Sequence, residues 1–401
     1  MEIVKLFVIF IVIIIVMRLN KPISIAISIG ALATILLYKM GLTDIFSSIK
    51  EGIFGLGTIN LVLALYTITF LQRMLEERNH LLLAEESLTN IFNSRRINAM
   101  LAPFVIGLLP SPGAVLIVAP IVNNAAGDSL DTEEKTFVSS YFRHIPEAFL
   151  PTFPAILLAI NLSGVEMTSF ILGMLPLIIA LFYLGYIFYV KKIPKTERKL
   201  ENINRTTEVK NLVKSLWSII LTIAIILIFG APVHISAILV ILLSIFVNKF
   251  SFEEIKPMFK TAFESKLIIT TILIMIFKEL LVHAGVIEEL PSYFSQLPIS
   301  PYIIYGLIFF FGTILIGSQG MVAVALPLAF ATIPNAGLPL LVFLMGVAYI
   351  AMQVSPTHIC LPIVVEEYGT TFSALVQKTM PVLLSFLVIL SVYSYLLYLI
   401  F

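Results

Sequence analysis

The stretch that decides the fold is Gly317 to Ala329, GSQGMVAVALPLA. It lies inside a long apolar run, residues 301–333, whose length would suit one membrane helix. Glycine weakens a helix, and polar side chains are costly in lipid. Gly-Ser-Gln-Gly at the middle of the run therefore predicts a break at membrane depth.

The composition around this break is that of a membrane protein. The chain has 401 residues, of which 59% are hydrophobic and 12% charged. Apolar runs recur with lengths of about 17–25 residues, which suits about 30 Å of hydrocarbon. The sequence thus predicts an all-α polytopic protein of the cell (cytoplasmic) membrane, surrounded by the lipid bilayer.

Several other classes of site and partner are excluded by the sequence. A single cysteine, Cys360, rules out an internal disulfide and a multi-cysteine metal site. We find no zinc-ligand spacing, no phosphate-binding loop and no basic patch of the kind that binds nucleic acid. We therefore expect no cofactor, no structural metal and no nucleic-acid partner.

Ten apolar segments are candidate transmembrane helices. They are Ile3–Met17, Pro22–Leu37, Ile53–Leu71, Phe137–Ile160, Thr168–Val190, Leu212–Phe229, Val233–Val247, Leu267–Val282, Pro339–Ala351 with an irregular continuation to Val365, and Met380–Ile400. Two further apolar stretches, 97–122 and 301–333, are broken near their middles and are treated separately.

The first of these, 97–122, is broken by Pro-Ser-Pro-Gly at 110–113. Each arm would be only about 15–20 Å long at about 1.5 Å per residue, too short to span alone. Arg95 and Arg96 precede it, and a basic linker at 191–214 follows two further spans. If both basic clusters are cytoplasmic, the stretch enters and leaves on one side, as a re-entrant hairpin. The same topology places both chain termini outside.

The two halves of the sequence resemble each other. PSPGAVLIVAPIV (110–122) aligns with GSQGMVAVALPLA (317–329), and HIPEAFLP (144–151) aligns with SPTHICLP (355–362), at nearly constant offset. Each half, 1–205 and 206–401, would cross the membrane five times and carry one hairpin. An odd number of crossings inverts the second copy, so hairpin 97–122 opens inward and hairpin 301–333 outward. The alternative is a chance alignment of apolar segments.

Inverted repeats with broken helices are typical of secondary transporters. A helix broken in the membrane leaves backbone groups that only protein or a water-filled cavity can satisfy. The amino-terminal ends of the half-helices suit an anion, whereas the carbonyl ends suit Na⁺ or a proton carrier. The breaks therefore predict the binding sites.

On these motifs the chain resembles the ion-transporter superfamily, which includes the gluconate permeases, the divalent anion/sodium symporters and an uncharacterised prokaryotic integral membrane family. The resemblance implies an elevator-like transporter, a homodimer, and substrate and cation sites at the hairpin tips and the interrupted spans. The residues it implies are Ser111, Pro112 and Gly113 at one tip, Ser318, Gln319 and Gly320 at the other, Arg143 and Glu147 in RHIPEAF, and Ser355, Thr357 and His358 in SPTH. The sodium symporters carry Ser-Asn-Thr at both tips, whereas this chain carries Ser-Pro-Gly and Ser-Gln-Gly. H⁺ and a Na⁺ bound near the tips therefore both stay open as coupling ions.

The charged residues allow two interpretations each. Arg143 could receive a carboxylate, or it could pair with Glu147 at the helical i,i+4 spacing. His358 could carry a proton, or it could be a neutral residue that holds broken backbone.

We predict a secondary active transporter, and not an enzyme, for a small organic anion such as a carboxylate or sugar acid, coupled to H⁺ or Na⁺. A passive channel is the alternative. An intramembrane enzyme with a Ser318–His358 dyad is the less favoured one, since the first half has no histidine at the matching position.

Overall fold

The computed structural model describes residues 2–19, 21–91, 94–108, 114–195, 204–285, 298–333 and 335–400. These residues form helices and no strand, which confirms the predicted all-α fold. The helices of the first half are α1 Glu2–Arg18, α2 Ile23–Tyr38, α3 Leu42–Phe54, α4 Leu56–Glu77, α5 His80–Ile91, α6 Arg95–Ile106, α7 Ala114–Ala126, α8 Thr132–His144, α9 Pro154–Ser163 and α10 Met167–Phe188.

The described helices of the second half can be matched in order to those of the first, except that no described helix corresponds to α5. These helices are α11 Arg205–Phe229, α12 Val233–Val247, α13 Phe252–Thr261, α14 Ser265–His283, α15 Pro301–Thr332, α16 Gly337–Met352, α17 Cys360–Glu367 and α18 Phe372–Ile400. Short 3₁₀ turns lie at Gly127–Ser129, Ile145–Ala148 and Val190–Lys192.

Five helical segments are long and apolar enough to cross a membrane. They are Leu42–Glu77, Met167–Phe188, Arg205–Phe229, Pro301–Thr332 and Phe372–Ile400. Shorter apolar helices, such as α2, α12 and α16, lie between them. A multi-pass membrane protein is therefore confirmed. The number of ten spans, and the placement of both termini outside, stay predictions.

The long helix α15 folds back on itself at Gly317. This residue has φ 78° and ψ 162°, a backbone conformation that glycine alone adopts readily. The Tyr305 hydroxyl lies 2.7 Å from Thr332 Oγ1, although 27 residues of straight helix would separate them by about 40 Å. The two arms are thus antiparallel, as the predicted hairpin requires. Entry and exit on one side of the membrane stay a prediction.

Helices α6 and α7 form a second hairpin. Arg95, at the start of α6, donates from Nε to the carbonyl of Ala125, near the end of α7, over 2.7 Å. Its predicted tip, Ser111, Pro112 and Gly113, lies outside the described residues. The α6 arm packs closely on the interrupted helix that follows, since a Cβ on Gly107 would clash with the Arg143 carbonyl oxygen.

Both predicted interruptions are present. The first span divides into α8 and α9, with the 3₁₀ turn Ile145–Ala148 and an irregular segment between them. The second divides into α16 and α17, separated by residues 353–359. Prolines lie at or near both breaks, Pro146 in the first and Pro356 in the second, and neither can continue a helical hydrogen-bond ladder.

The two halves pack on each other in reciprocal pairs. Helix α3 packs on α14, and α13 packs on α4; likewise α2 packs on α14, and α12 on α4. The same exchange joins α9 to α15 and α17 to α7, and it joins α8 to α18 and α16 to α10. A two-fold relation between the halves would produce such pairs. The inverted repeats 1–205 and 206–401 stay a prediction that this packing supports.

An ion-pair network holds the start of α8 against α18. Asp131 caps α8 by accepting from the Glu134 backbone N–H, and Glu134 returns the contact to the Asp131 N–H. Lys378 of α18 lies 2.8 Å from Asp131 Oδ2. Lys192 pairs with Glu134 on the other side. These contacts fix the helix that carries Arg143 and leads into the 3₁₀ turn with Glu147.

Candidate functional site

A cavity of about 170 Å³ lies where the two interruptions meet the tip of hairpin α15. Four of the predicted site residues line it: Glu147, Ser318, Gln319 and His358. The rest of its wall is largely apolar and comes from α9, α16 and the segment before α9. Residues that are 171 positions or more apart in sequence are thereby brought to one place, as the predicted site requires.

Arg143 lies behind Glu147 and does not line this cavity. Its side chain is only 1% exposed, and its Nη1 lies 3.6 Å from Glu147 Oε1. The predicted i,i+4 ion pair is therefore formed, but deep in the protein. The same nitrogen is 3.2 Å from His144 Nε2 and 3.5 Å from Cys360 Sγ. Glu147 thus stands between the guanidinium and the cavity.

His144 joins the two interruptions. Its Nδ1 lies 2.6 Å from the Ser140 carbonyl oxygen, which can only accept, so Nδ1 carries the hydrogen. In the neutral ring Nε2 is then an acceptor, as the contact with the Arg143 donor also requires. His358 Nε2 lies 3.0 Å from His144 Nε2 and must therefore donate to it. His358 holds a ring hydrogen bond as well as a place on the cavity wall.

The cluster contains four groups that ligate metals in other proteins. Donor atoms of His144, Glu147, His358 and Cys360 all lie within 4.8 Å of one another. Two imidazoles, a carboxylate and a thiol would suit a transition metal. However, Arg143 Nη1 is within 3.6 Å of three of these residues, so a guanidinium fills the position that an ion would need. This arrangement does not fit a resident metal.

Ser355 and Thr357 contact hairpin α15 rather than the cavity. The Ser355 hydroxyl donates to the Ile314 carbonyl over 2.9 Å, and the Thr357 hydroxyl lies 3.3 Å from the same oxygen. Ile314 precedes the break at Gly317, where carbonyls of the first arm end their regular pairing. These two predicted residues therefore stabilise the broken backbone. Thr152 does the same for hairpin α6–α7, donating to the Leu108 carbonyl over 3.3 Å.

Within the predicted Gly-Ser-Gln-Gly break, Gly317 has the non-helical backbone conformation, and the binding role of Gly320 stays a prediction. Gly320 is buried in the second arm, and a Cβ there would lie 3.4 Å from the nearest atom, an ordinary contact. Gly317 has the positive φ that a side chain would strain. In the sequence, Gly317 is the first residue of the Gly-Ser-Gln-Gly motif that predicts the break.

Two buried polar residues, Tyr349 in α16 and Gln353 just after it, could not be predicted from the sequence. The Tyr349 hydroxyl and the Gln353 Nε2 have no hydrogen-bond partner among the described residues, although Tyr349 is 3% and Gln353 2% exposed. Tyr349 lines the cavity. A buried hydroxyl without a partner is costly, and the side chain of Gln353 lies beside this one. No local sequence signal distinguishes this tyrosine from those that face lipid.

Comparisons with known proteins place the chain in a family. It belongs to the family described as "Protein of unknown function (DUF401)", whose model matches residues 3–401. A search of curated proteins finds no match. Relation to the gluconate permeases and the divalent anion/sodium symporters stays a prediction.

Among solved structures, the fold is similar to that of the YdaH transporter of Alcanivorax borkumensis, whose crystal structure is described as having an unusual topology. The TM-score is 0.60 and the sequence identity 11%, over 88% of this chain and 88% of that chain. At this identity the likeness shows a shared fold.

Proposed function

We propose that this member of the DUF401 family is a secondary active transporter of a small organic anion, a carboxylate or a sugar acid, coupled to H⁺ or Na⁺. The observation that carries the proposal is the cavity in which both interrupted helices meet the hairpin tip. It lies inside an apolar helical protein, where broken backbone persists only beside protein or a water-filled space. The fold shared with YdaH, which is named a transporter, supports the same role.

The tip of α15 favours an anion. Ser318 and Gln319 begin the second arm directly after the break, so the positive end of that arm faces the cavity they line. Tyr349 lies on the same wall. A carboxylate could accept hydrogen bonds from Ser318 and Gln319, with Arg143 behind Glu147 as the source of positive charge.

The coupling ion would use the same wall. Glu147 and His358 both line the cavity and both change charge with a proton, which favours H⁺. Backbone carbonyls near the tips would be the ligands of Na⁺. An elevator-like movement of the hairpins with the interrupted helices, in a homodimer, completes the proposal, as the resemblance to the ion-transporter superfamily implies.

The proposal is tested by uptake into proteoliposomes. Radiolabelled carboxylates and sugar acids are offered under a pH gradient, a Na⁺ gradient and neither, and saturable uptake that follows one gradient is expected. The variants Ser318→Ala and Gln319→Ala should lower uptake. Ser28→Ala is the control, because that exposed hydroxyl bonds only to Ser24 of its own helix.

Other outcomes would decide against a transporter. Flux without saturation or gradient coupling would indicate a channel. Loss of turnover on Ser318→Ala with binding intact would indicate an enzyme. Absence of gradient-driven uptake of every carboxylate and sugar acid tried would overturn the proposal.

A further inference from the structure

The arrangement of Arg143, Glu147 and the cavity has a consequence for the coupling ion. The Glu147 carboxylate lines the wall of the cavity, whereas the Arg143 guanidinium, 3.6 Å from it, does not, so an anion in the cavity approaches Arg143 beside Glu147. We propose that Glu147 and the transported anion compete for Arg143, so that one proton bound by Glu147 accompanies each singly charged anion. This inference rests on the proposed function and names its coupling ion, its charge balance and its substrate class.

Among the groups near the cavity, Glu147 is the carboxylate that can compete with the anion for Arg143. Arg143 of its own segment lies 3.6 Å away. His358, from the segment after α16, lies 4.0 Å away and His144 3.9 Å away, and each already has a place in the hydrogen bond between the two rings. Cys360 of α17 contacts Arg143, and Tyr349 of α16 shares the cavity wall. Among the described residues, the wall holds no other carboxylate.

His144 cannot take the proton in this arrangement. Its Nδ1–H is held by the Ser140 carbonyl, and its Nε2 accepts from Arg143 and from His358. A proton on Nε2 would turn both donors into repelling neighbours. Glu147 keeps both oxygens without a hydrogen bond from its three basic neighbours, which lie at 3.6 to 4.0 Å. A proton arriving from the cavity therefore meets a carboxylate that is able to accept it.

The charge balance then sets the stoichiometry. With Glu147 ionised, the buried pair is neutral, and a bound anion would leave one buried negative charge uncompensated, which is strongly unfavourable. With Glu147 protonated, Arg143 pairs with the anion and the site is neutral again. The empty and loaded sites are thus both neutral, so the protein carries a monoanion and a proton together without moving net charge. A dianion would need a second proton.

The experiment uses the full-length protein and the panel lactate, glycerate and gluconate, with succinate as the dianion. In weakly buffered detergent solution, a pH dye records protons taken up when each saturating acid is added. We expect one proton taken up per monoanion bound by the wild type, and none by Glu147→Gln. In proteoliposomes, an inward pH gradient should accelerate monoanion uptake. A valinomycin-set potential, and replacement of Na⁺ by K⁺, should leave it unchanged.

Glu147→Gln should lose the stimulation by the pH gradient and keep anion exchange, because Arg143 then needs an anion in every crossing. Glu166→Gln, on an exposed carboxylate at the start of α10, is the matched control and should behave as the wild type. Elution as one peak in size-exclusion chromatography checks the fold. If Glu147→Gln aggregates, proton uptake is measured on the wild type and on Glu147→Asp. Both should take up one proton per monoanion bound.

Binding without proton uptake, or wild-type uptake that follows the membrane potential or Na⁺, would overturn this inference and leave a transporter in place. If the wild type binds and transports no acid under any gradient, the proposed function fails, and the inference fails with it.

Discussion

The two interrupted helices occupy matching positions in the two halves but carry different chemistry. The break between α8 and α9 holds a buried arginine and carboxylate, Arg143 and Glu147, beside His144. The break between α16 and α17 is uncharged around the hairpin: Ser355 and Thr357 donate to Ile314. One break therefore supplies charge and the other secures backbone, and they meet through the two histidine rings and through Cys360, whose Sγ lies 3.5 Å from Arg143 Nη1.

This difference teaches that a shared pattern of breaks fixes where a site lies but not which half provides its chemistry. Loss of charge balance in the first break should lower the stability of the protein more than loss of a hydroxyl in the second. The changes below test this order by thermal unfolding of the purified protein in detergent, beginning with the largest expected effect.

Removal of Arg143 should be the most damaging change. Arg143→Met leaves Glu147 buried without its partner, and breaking a buried pair costs about 3–5 kcal/mol. The double variant Arg143→Met, Glu147→Met removes both charges and should recover most of the loss. Arg73→Met is the matched control at a half-exposed pair, where about 1 kcal/mol or less is expected. A double variant no more stable than Arg143→Met would show that the loss does not come from the unpaired Glu147 carboxylate.

The glycine at the end of the α6 arm should be the next most sensitive position. A Cβ on Gly107 would clash with the Arg143 carbonyl oxygen, so Gly107→Ala must push α6 and α8 apart. Overpacking of this kind costs about 1–3 kcal/mol. Gly320→Ala in hairpin α15 is the control, since its Cβ would find ordinary contacts at 3.4 Å, and a change within about 0.5 kcal/mol is expected. Equal effects at the two glycines would contradict the comparison.

The second break should respond more mildly. Ser355→Ala removes the nearer of two donors to the Ile314 carbonyl, while Thr357 remains 3.3 Å away. A loss of about 1 kcal/mol is expected, and a larger one for the double variant with Thr357→Val. Ser385→Ala, which removes an exposed hydroxyl bonded within α18, should be close to neutral. A larger loss than that of Arg143→Met would reverse the proposed order.

The smallest effect is expected at the surface network that holds α8. Burial alone would raise the pKa of the Asp131 carboxyl, but the hydrogen bond and charge of Lys378 outweigh it and lower that pKa. A carboxylate with a lowered pKa adds stability above its unfolded pKa of about 3.9, and this stability is lost as the pH falls through the folded value. Asp131→Asn should therefore lower the melting temperature slightly at pH 7.

The difference between this variant and the wild type should shrink as the pH falls below about 4 and vanish once it is below the lowered folded pKa of Asp131. Asparagine still caps the helix, so the difference between Asp131→Asn and Asp131→Ala isolates the cap from the charge. If the melting temperature of Asp131→Asn stays below that of the wild type by the same amount in acid, the ion pair with Lys378 is not the cause of the difference.

Much of the fold could be predicted because breaks in apolar helices have local causes. Glycine at 317 and proline at 146 and 356 weaken a helix locally, so the hairpin and both interruptions could be predicted from the sequence. Four predicted site residues, Glu147, Ser318, Gln319 and His358, lie together because each is beside such a break.

The remaining features depend on how distant elements pack. The contact of Cys360 with Arg143 and the bridging role of His144 each join residues more than two hundred positions apart, which no pattern along one helix reveals. Tyr349 was missed because its environment, and not its neighbours in sequence, makes it unusual. The tip at 111–113 and its residues Ser111, Pro112 and Gly113 stay predictions.

The hydrogen bond between the two histidine rings has a direction. His144 must accept because the Ser140 carbonyl holds its other nitrogen as a donor, and His358 must donate. Two halves with matching interruptions would be interchangeable, yet a single proton shared between them cannot belong equally to both. The proton on His358 therefore makes the two halves chemically distinct at the point where they touch, and a carrier of the proposed kind need not run equally well in its two directions.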